Sequence, residues 1–139
     1  MRALFILFVL AVAAAAQNAA YQQDLGWTAP EAAAARANPL AGKPQLAAGG
    51  RKLFEQRCAQ CHGQEGQGLK KAADLQLPVV QQQSDGTLFW KITNGNPRRG
   101  MPSFSGIPEM QRWQIVLYLR SLPSAQPSND VRNPDAIKK

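Results

Sequence analysis

Apolar positions recur along the middle of this chain at spacings of three and four, and no stretch alternates as a strand does. In "RKLFEQRCAQCH" (51–62), Leu53, Phe54, Arg57, Cys58 and Cys61 fall at these spacings, which predicts a helix with Phe54 and both cysteines on one face. "DGTLFWKITNG" (85–95) predicts a second helix, with Leu88, Phe89 and Ile92 on its apolar face, Ser84 as N-cap and Gly95 as stop. "PEMQRWQIVLYLRSL" (108–122) predicts a third. It opens at Pro108, places Ile115, Tyr118, Leu119 and Leu122 at i, i+3, i+4 and i+7, and ends before Pro123. "TAPEAAAARANP" (28–39) reads as a short helix with Pro30 in its first turn and Asn38-Pro39 as its stop.

Between these elements lie loops. "GQEGQG" (63–68) and "NPRRGMPSFSGI" (96–107) are punctuated by glycine and proline, and 69–83 is irregular with "LQLP" as its one apolar cluster. The pattern therefore predicts an all-α domain over 48–123, with Gly49-Gly50 at its start. Residues 17–47, rich in Ala, Gln and Pro, read as an N-terminal arm in which Trp27 either docks on the domain or lies on the surface. The polar, proline-bearing tail 124–139 reads as disordered.

The first residues do not belong to the fold. Arg2 precedes an apolar run from Ala3 to Ala16 that closes on small residues, the pattern of a secretory signal peptide over 1–16. The run is shorter than the ~20 residues of a membrane span. The expected location is the periplasm or another exported compartment, without stable membrane insertion; uncleaved, the same run would be an anchor. Cleavage removes Arg2 and leaves the mature chain one positive charge below the +7 of the full sequence.

Composition adds one decisive feature. The 139 residues contain two cysteines and one histidine, and all three stand in "CAQCH" (58–62). A disulfide between Cys58 and Cys61 would close too small a loop to stabilise much. A thioredoxin-type redox pair belongs at a strand-to-helix junction, and no strand is predicted here. A structural zinc needs four ligands, and Cys58, Cys61 and His62 supply three. Cys-x-x-Cys-His is also the attachment pattern of haem c: two thiols about one helical turn apart for the vinyl groups, and the next residue, His62, for the iron. Of the three methionines, Met1 is in the signal and Met110 inside the last helix, where it reads as filler. Met101 stands in "GMPSF", between a glycine that permits close approach and a proline that stiffens the loop, and is the candidate sixth ligand.

With these pieces assembled, the sequence resembles a class I cytochrome c of the small bacterial monohaem kind. The resemblance runs over about 48–122 and rests on Gly50 and Phe54, "CAQCHGQEGQG", "DGTLFWKITNG", "GMPSF" and "WQIVLYLRSL", in the family's order. It implies the cytochrome c fold around one haem c bound through Cys58 and Cys61, with His62 and Met101 on the iron. It implies a crossing of the first and last helices near Gly50 and Tyr118, and packing of Leu75 on the porphyrin. Many members carry a proline two residues before that leucine, whose carbonyl orients the imidazole. Here the position is Ala73, which implies a less rigidly fixed loop.

The function so implied is transfer of single electrons between redox partners by a carrier rather than an enzyme. Leu75, Leu88, Phe89, Ile92 and Phe104 are expected to bury the haem. Lys70, Lys71, Lys91, Arg98 and Arg99 are expected to present a basic face to a partner with an acidic docking surface; no nucleic acid is expected. Two alternatives stand beside this: an electron-transfer subunit of a larger dehydrogenase or oxidase complex, and a five-coordinate haem sensor or peroxidase. The second lacks a distal base, because His62 is the sole histidine.

Overall fold

The computed structural model describes residues 23–69 and 72–124. The predicted signal peptide, the start of the arm, Lys70, Lys71 and residues 125–139 lie outside them. Among the described residues the chain is helical without strands. It forms α1 (Glu31–Ala34), α2 (Ala47–Arg57), α3 (Ala59–His62), α4 (Pro78–Gln81), α5 (Asp85–Asn94) and α6 (Glu109–Arg120), with 3-10 turns at Pro44–Leu46 and Pro97–Arg99.

Helices α2 and α6 make the most extensive contact and build the core. Gly50 is what lets them meet: a β-carbon there would stand 1.9 Å from the Gln114 carbonyl oxygen. One turn on, Phe54 and Tyr118 pack as a tilted ring pair 5.2 Å apart. The crossing expected near Gly50 and Tyr118 is thus made by two pairs, Gly50 with the Gln114 backbone and Phe54 with Tyr118. Phe54, Trp113, Ile115 and Val116 are the largest fully buried side chains. Gly50 therefore lies inside α2, which begins at Ala47 behind the Pro44–Leu46 turn.

The predicted 51–62 helix is two helices. Cys58, at φ −119° and ψ −35°, closes α2 through its N–H to the Phe54 carbonyl at 2.8 Å, and its own carbonyl then receives the N–H groups of Cys61 and His62. The apolar period runs through this break without a change of phase, so periodicity alone reads one helix. A second difference falls in 69–83, where Pro78 opens the single turn α4. Leu77 is extended, as a residue before proline prefers, and Pro78 takes the first helical position, where its missing N–H leaves no bond unmade.

Helix α5 follows its predicted course: the Ser84 hydroxyl accepts the Thr87 N–H at 3.1 Å, and Gly95 ends it at φ 64°. Arg120 joins α6 to the preceding segments, pairing with Asp85 at 2.7 Å and donating to the carbonyls of Gln81 and Gln83.

Residues 24–46 are seated against the helices rather than extended from them. The Ala33 carbonyl lies so close to Gly86 that a β-carbon there would meet it at 2.2 Å. The Ser84 hydroxyl donates to the Ala34 carbonyl at 2.7 Å, and Arg36 pairs with Glu109 at 2.5 Å. Asn38 is buried, accepting from Leu40 N–H, and Leu40 joins the core at 4% exposure. Phe89 stacks on Trp113 with ring centroids 4.0 Å apart, and the guanidinium groups of Arg36 and Arg112 lie 4.8 and 4.7 Å from its centroid. Phe89, one of the residues expected to bury a haem, forms part of this stack.

Candidate metal centre

The break at Cys58 sets the local geometry of the motif. Helix α3 carries Ala59, Gln60, Cys61 and His62, and Gly63 ends it at a positive φ of 82°. Cys58 is half-buried, Cys61 is exposed, and both are free thiols. Burial, and next the neighbouring Cys61, push the Cys58 thiol up to about 12, so it stays protonated at neutral pH.

His62 is the most constrained residue of the group. Its Nδ1 lies 2.8 Å from the Ala73 carbonyl oxygen. A carbonyl only accepts, so Nδ1 carries the proton and Nε2 keeps its lone pair for a metal. Burial lowers the His62 pKa and the bond to Ala73 opposes this in part, so the ring is held neutral. The segment bearing Ala73 is held in turn. Gly68 N–H donates to the His62 carbonyl at 2.7 Å, and Leu75 N–H to the Gly66 carbonyl at 2.7 Å. Gly68 runs so close to the next strand of chain that a β-carbon would stand 2.8 Å from Asp74 N. The less rigid loop implied by Ala73 in place of proline is thus tied on both sides of that residue.

Leu75 is half-buried against the core. Gln81, a residue the sequence reading passed over, donates to the Leu75 carbonyl at 2.7 Å and to the Leu119 carbonyl at 3.1 Å, coupling this segment to α6. Its signal in the sequence was slight: a glutamine directly after the apolar pair Val79-Val80.

Met101 comes from a separate segment, and α5 determines its place. A helix C-terminus leaves its last carbonyls without helical donors. Here the loop supplies donors: Gly95 N–H to Lys91, Phe104 N–H to Ile92 at 3.1 Å, and the Ser103 hydroxyl to Thr93 at 2.7 Å. Asn96 and Met101 then exchange both backbone bonds, at 2.9 and 3.1 Å, as an isolated antiparallel bridge. A β-carbon on Gly95 would stand 2.4 Å from the Pro102 carbonyl oxygen, so only glycine fits that close approach. Met101 is half-buried, whereas Met110 is 51% exposed on α6 and is not the core filler that its helical position implied.

The structure thus joins Cys58, Cys61, His62, Ala73 and Leu75 into one bonded group and presents Met101 on its own braced loop. Among the described residues no three His, Cys, Asp or Glu side chains converge as a metal-ion site. The motif offers one imidazole and two thiols, and Met101 carries a thioether on a separate segment. These groups fit a porphyrin iron, which brings four nitrogens of its own and needs only axial ligands and covalent anchors.

No match was found among the curated proteins or the solved structures. Residues 45–119 match the family model described as cytochrome C oxidase, cbb3-type, subunit III, which takes in the Cys-x-x-Cys-His segment, the Ala73 and Leu75 loop, Met101 and most of α6. The chain therefore belongs to this family of c-type cytochromes, with an all-α cytochrome fold and a haem-based role in electron transfer.

Proposed function

We propose that the chain is an exported carrier of single electrons, with one haem c bound to Cys58 and Cys61 by thioether bonds, His62 and Met101 as axial ligands, and Leu75 packed on the macrocycle. The observation that carries this reading is the 2.8 Å contact between His62 Nδ1 and the Ala73 carbonyl, beside two free thiols. It leaves Nε2 as the one unprotonated imidazole nitrogen in the chain.

When bound, the haem supplies a one-electron Fe(III)/Fe(II) couple. The residues do the rest. Cys58 and Cys61 fix the group to α3. The Ala73 carbonyl holds His62 in one tautomer. The C-terminal carbonyls of α5 hold the Met101 loop, and with the His62 imidazole and the Met101 thioether both on a bound iron, no position would be left for a substrate. Thioether ligation favours the reduced state relative to two nitrogen ligands. Among the described residues no helix is long and apolar enough to cross a membrane.

The family match supports a second reading, in which the chain is the electron-transfer subunit of an oxidase complex. Copurification with a larger enzyme distinguishes a fixed subunit from a free carrier. The primary test is mass spectrometry of the denatured protein from a host competent in cytochrome c maturation. One haem adduct is expected, and the bare polypeptide mass would reject the attachment.

A further inference from the structure

Residues 24–27 lie outside the family match yet touch the loop that presents Met101. Asp24 heads a tight turn: its carbonyl accepts the Trp27 N–H at 3.1 Å and its Oδ1 accepts the Gly26 N–H at 3.2 Å. Its other oxygen, Oδ2, accepts a hydrogen bond from Asn96 Nδ2 at 3.2 Å. Asn96 is the residue whose backbone holds Met101 from both sides. The turn makes a second contact one helical turn back, where Lys91 Nζ lies 4.6 Å from the centroid of the Trp27 ring. One short segment therefore grips the end of α5 through Lys91 and the Met101 bridge through Asn96.

The rest of the segment gives this grip a firm base. Ala33 and Ala34 are fixed to Gly86 and Ser84, and Arg36 to Glu109, so the turn at Asp24 reaches the loop from a seated element. A loop tied to α5 by a few hydrogen bonds opens when those bonds break. A side-chain bond from a separate segment lowers the fraction of time it is open.

We propose that Asp24 and Asn96 are positioning residues that clamp the Met101 loop and keep its thioether on the iron. The clamp rests on Met101 being the sixth ligand. A competing ligand enters only in the open state, and its apparent affinity scales with the open fraction. The clamp therefore makes the iron harder to reach without touching it.

The test uses the full chain in its haem-bearing form. The ferric protein is titrated with imidazole, and both the apparent Kd and the sulfur-to-iron band at the red end of the visible spectrum are read. Asp24→Ala and Asn96→Ala are each expected to tighten imidazole binding about five-fold, the effect of one hydrogen bond to a partly exposed carboxylate. The double variant is expected to tighten it no further, since both substitutions remove the same bond. Ile115→Val, in the α6 core and outside the segment that carries Asp24, is the control for general loosening: it should lower the unfolding midpoint and leave the imidazole Kd at the parent value. Parent-like Kd values in both Asp24→Ala and Asn96→Ala overturn the clamp, as does equal tightening in Ile115→Val or additivity in the double variant. Met101→Ala separates the two levels of the inference. Loss of the band there, with parent-like imidazole binding in the Asp24 and Asn96 variants, removes the clamp alone. Persistence of the band in Met101→Ala removes the ligand assignment and the clamp with it.

Discussion

Met101 and Met110 carry the same thioether in different surroundings. Met101 is half-buried on a loop bound to α5 and Asn96, while Met110 is 51% exposed. Met101→Ala is expected to abolish the sulfur-to-iron band, lower the reduction potential and admit added cyanide. Met110→Ala should keep the band and change stability by less than ~0.5 kcal/mol, as an exposed side chain does. Visible spectra and denaturation of both variants check this, and loss of the band only in Met110→Ala would reverse the assignment. At this scale the sequence was legible where chemistry is contiguous. Cys58, Cys61 and His62 announce themselves in five residues, and the Gly100 and Pro102 neighbours mark Met101. Asn96 and Asp24 carry no such mark, because a hydrogen bond between distant positions leaves no trace in local spacing. The tautomer of His62 depends on the Ala73 carbonyl, a contact that only the folded chain supplies.

The crossing of α2 and α6 depends on one of two adjacent glycines, Gly50 and not Gly49. A β-carbon on Gly50 would stand 1.9 Å from a backbone oxygen of α6, and backbone there has nowhere to go. Gly50→Val is therefore expected to destabilise by about 3 kcal/mol, the upper part of the usual range for overpacking. On Gly49 the nearest atoms are the side-chain amide of Gln114 at 3.2–3.3 Å, which can swing aside. Gly49→Ala should then be neutral or stabilising by up to ~1 kcal/mol, since alanine suits a helix interior better than glycine. Urea unfolding of both variants tests the contrast; an unchanged midpoint in Gly50→Val would reject the close crossing. The centres of α5 and α6 were legible because one face of each is apolar and their ends carry Ser84, Gly95, Pro108 and Pro123. The division at Cys58 was not, because a change of backbone angle at one residue keeps the side chains in phase. Nor was α4, a single turn too short to show a period.

On the scale of the molecule, the fold class followed from the absence of alternation and the presence of helical period, but the seating of residues 24–46 did not. Ala-rich sequence carries little side-chain information, and this segment is held by backbone carbonyls meeting Ser84 and Gly86 and by single side chains such as Arg36 and Leu40. That seating also redraws the basic face. Lys91 is half-buried over the Trp27 ring; burial lowers its pKa and the nearby Asp24 carboxylate opposes this, so its charge faces Asp24 as well as solvent. Arg98 and Arg99 are both exposed on the turn Pro97–Arg99, directly before Gly100 and Met101, which places two cations beside the loop. The full chain carries +7, enough to steer an acidic partner if the field is concentrated there. Long-range attraction is screened beyond ~8 Å at physiological salt. Electron transfer to the redox partner is therefore expected to slow steadily as ionic strength rises. Arg98→Gln should slow it roughly two-fold at low ionic strength, as loss of one charge from the encounter surface does, and match the parent at high salt. Stopped-flow rates across a salt series measure both effects. A flat profile for the parent would show that steering does not govern the encounter. Equal slopes for parent and Arg98→Gln would place the docking charge elsewhere on the molecule.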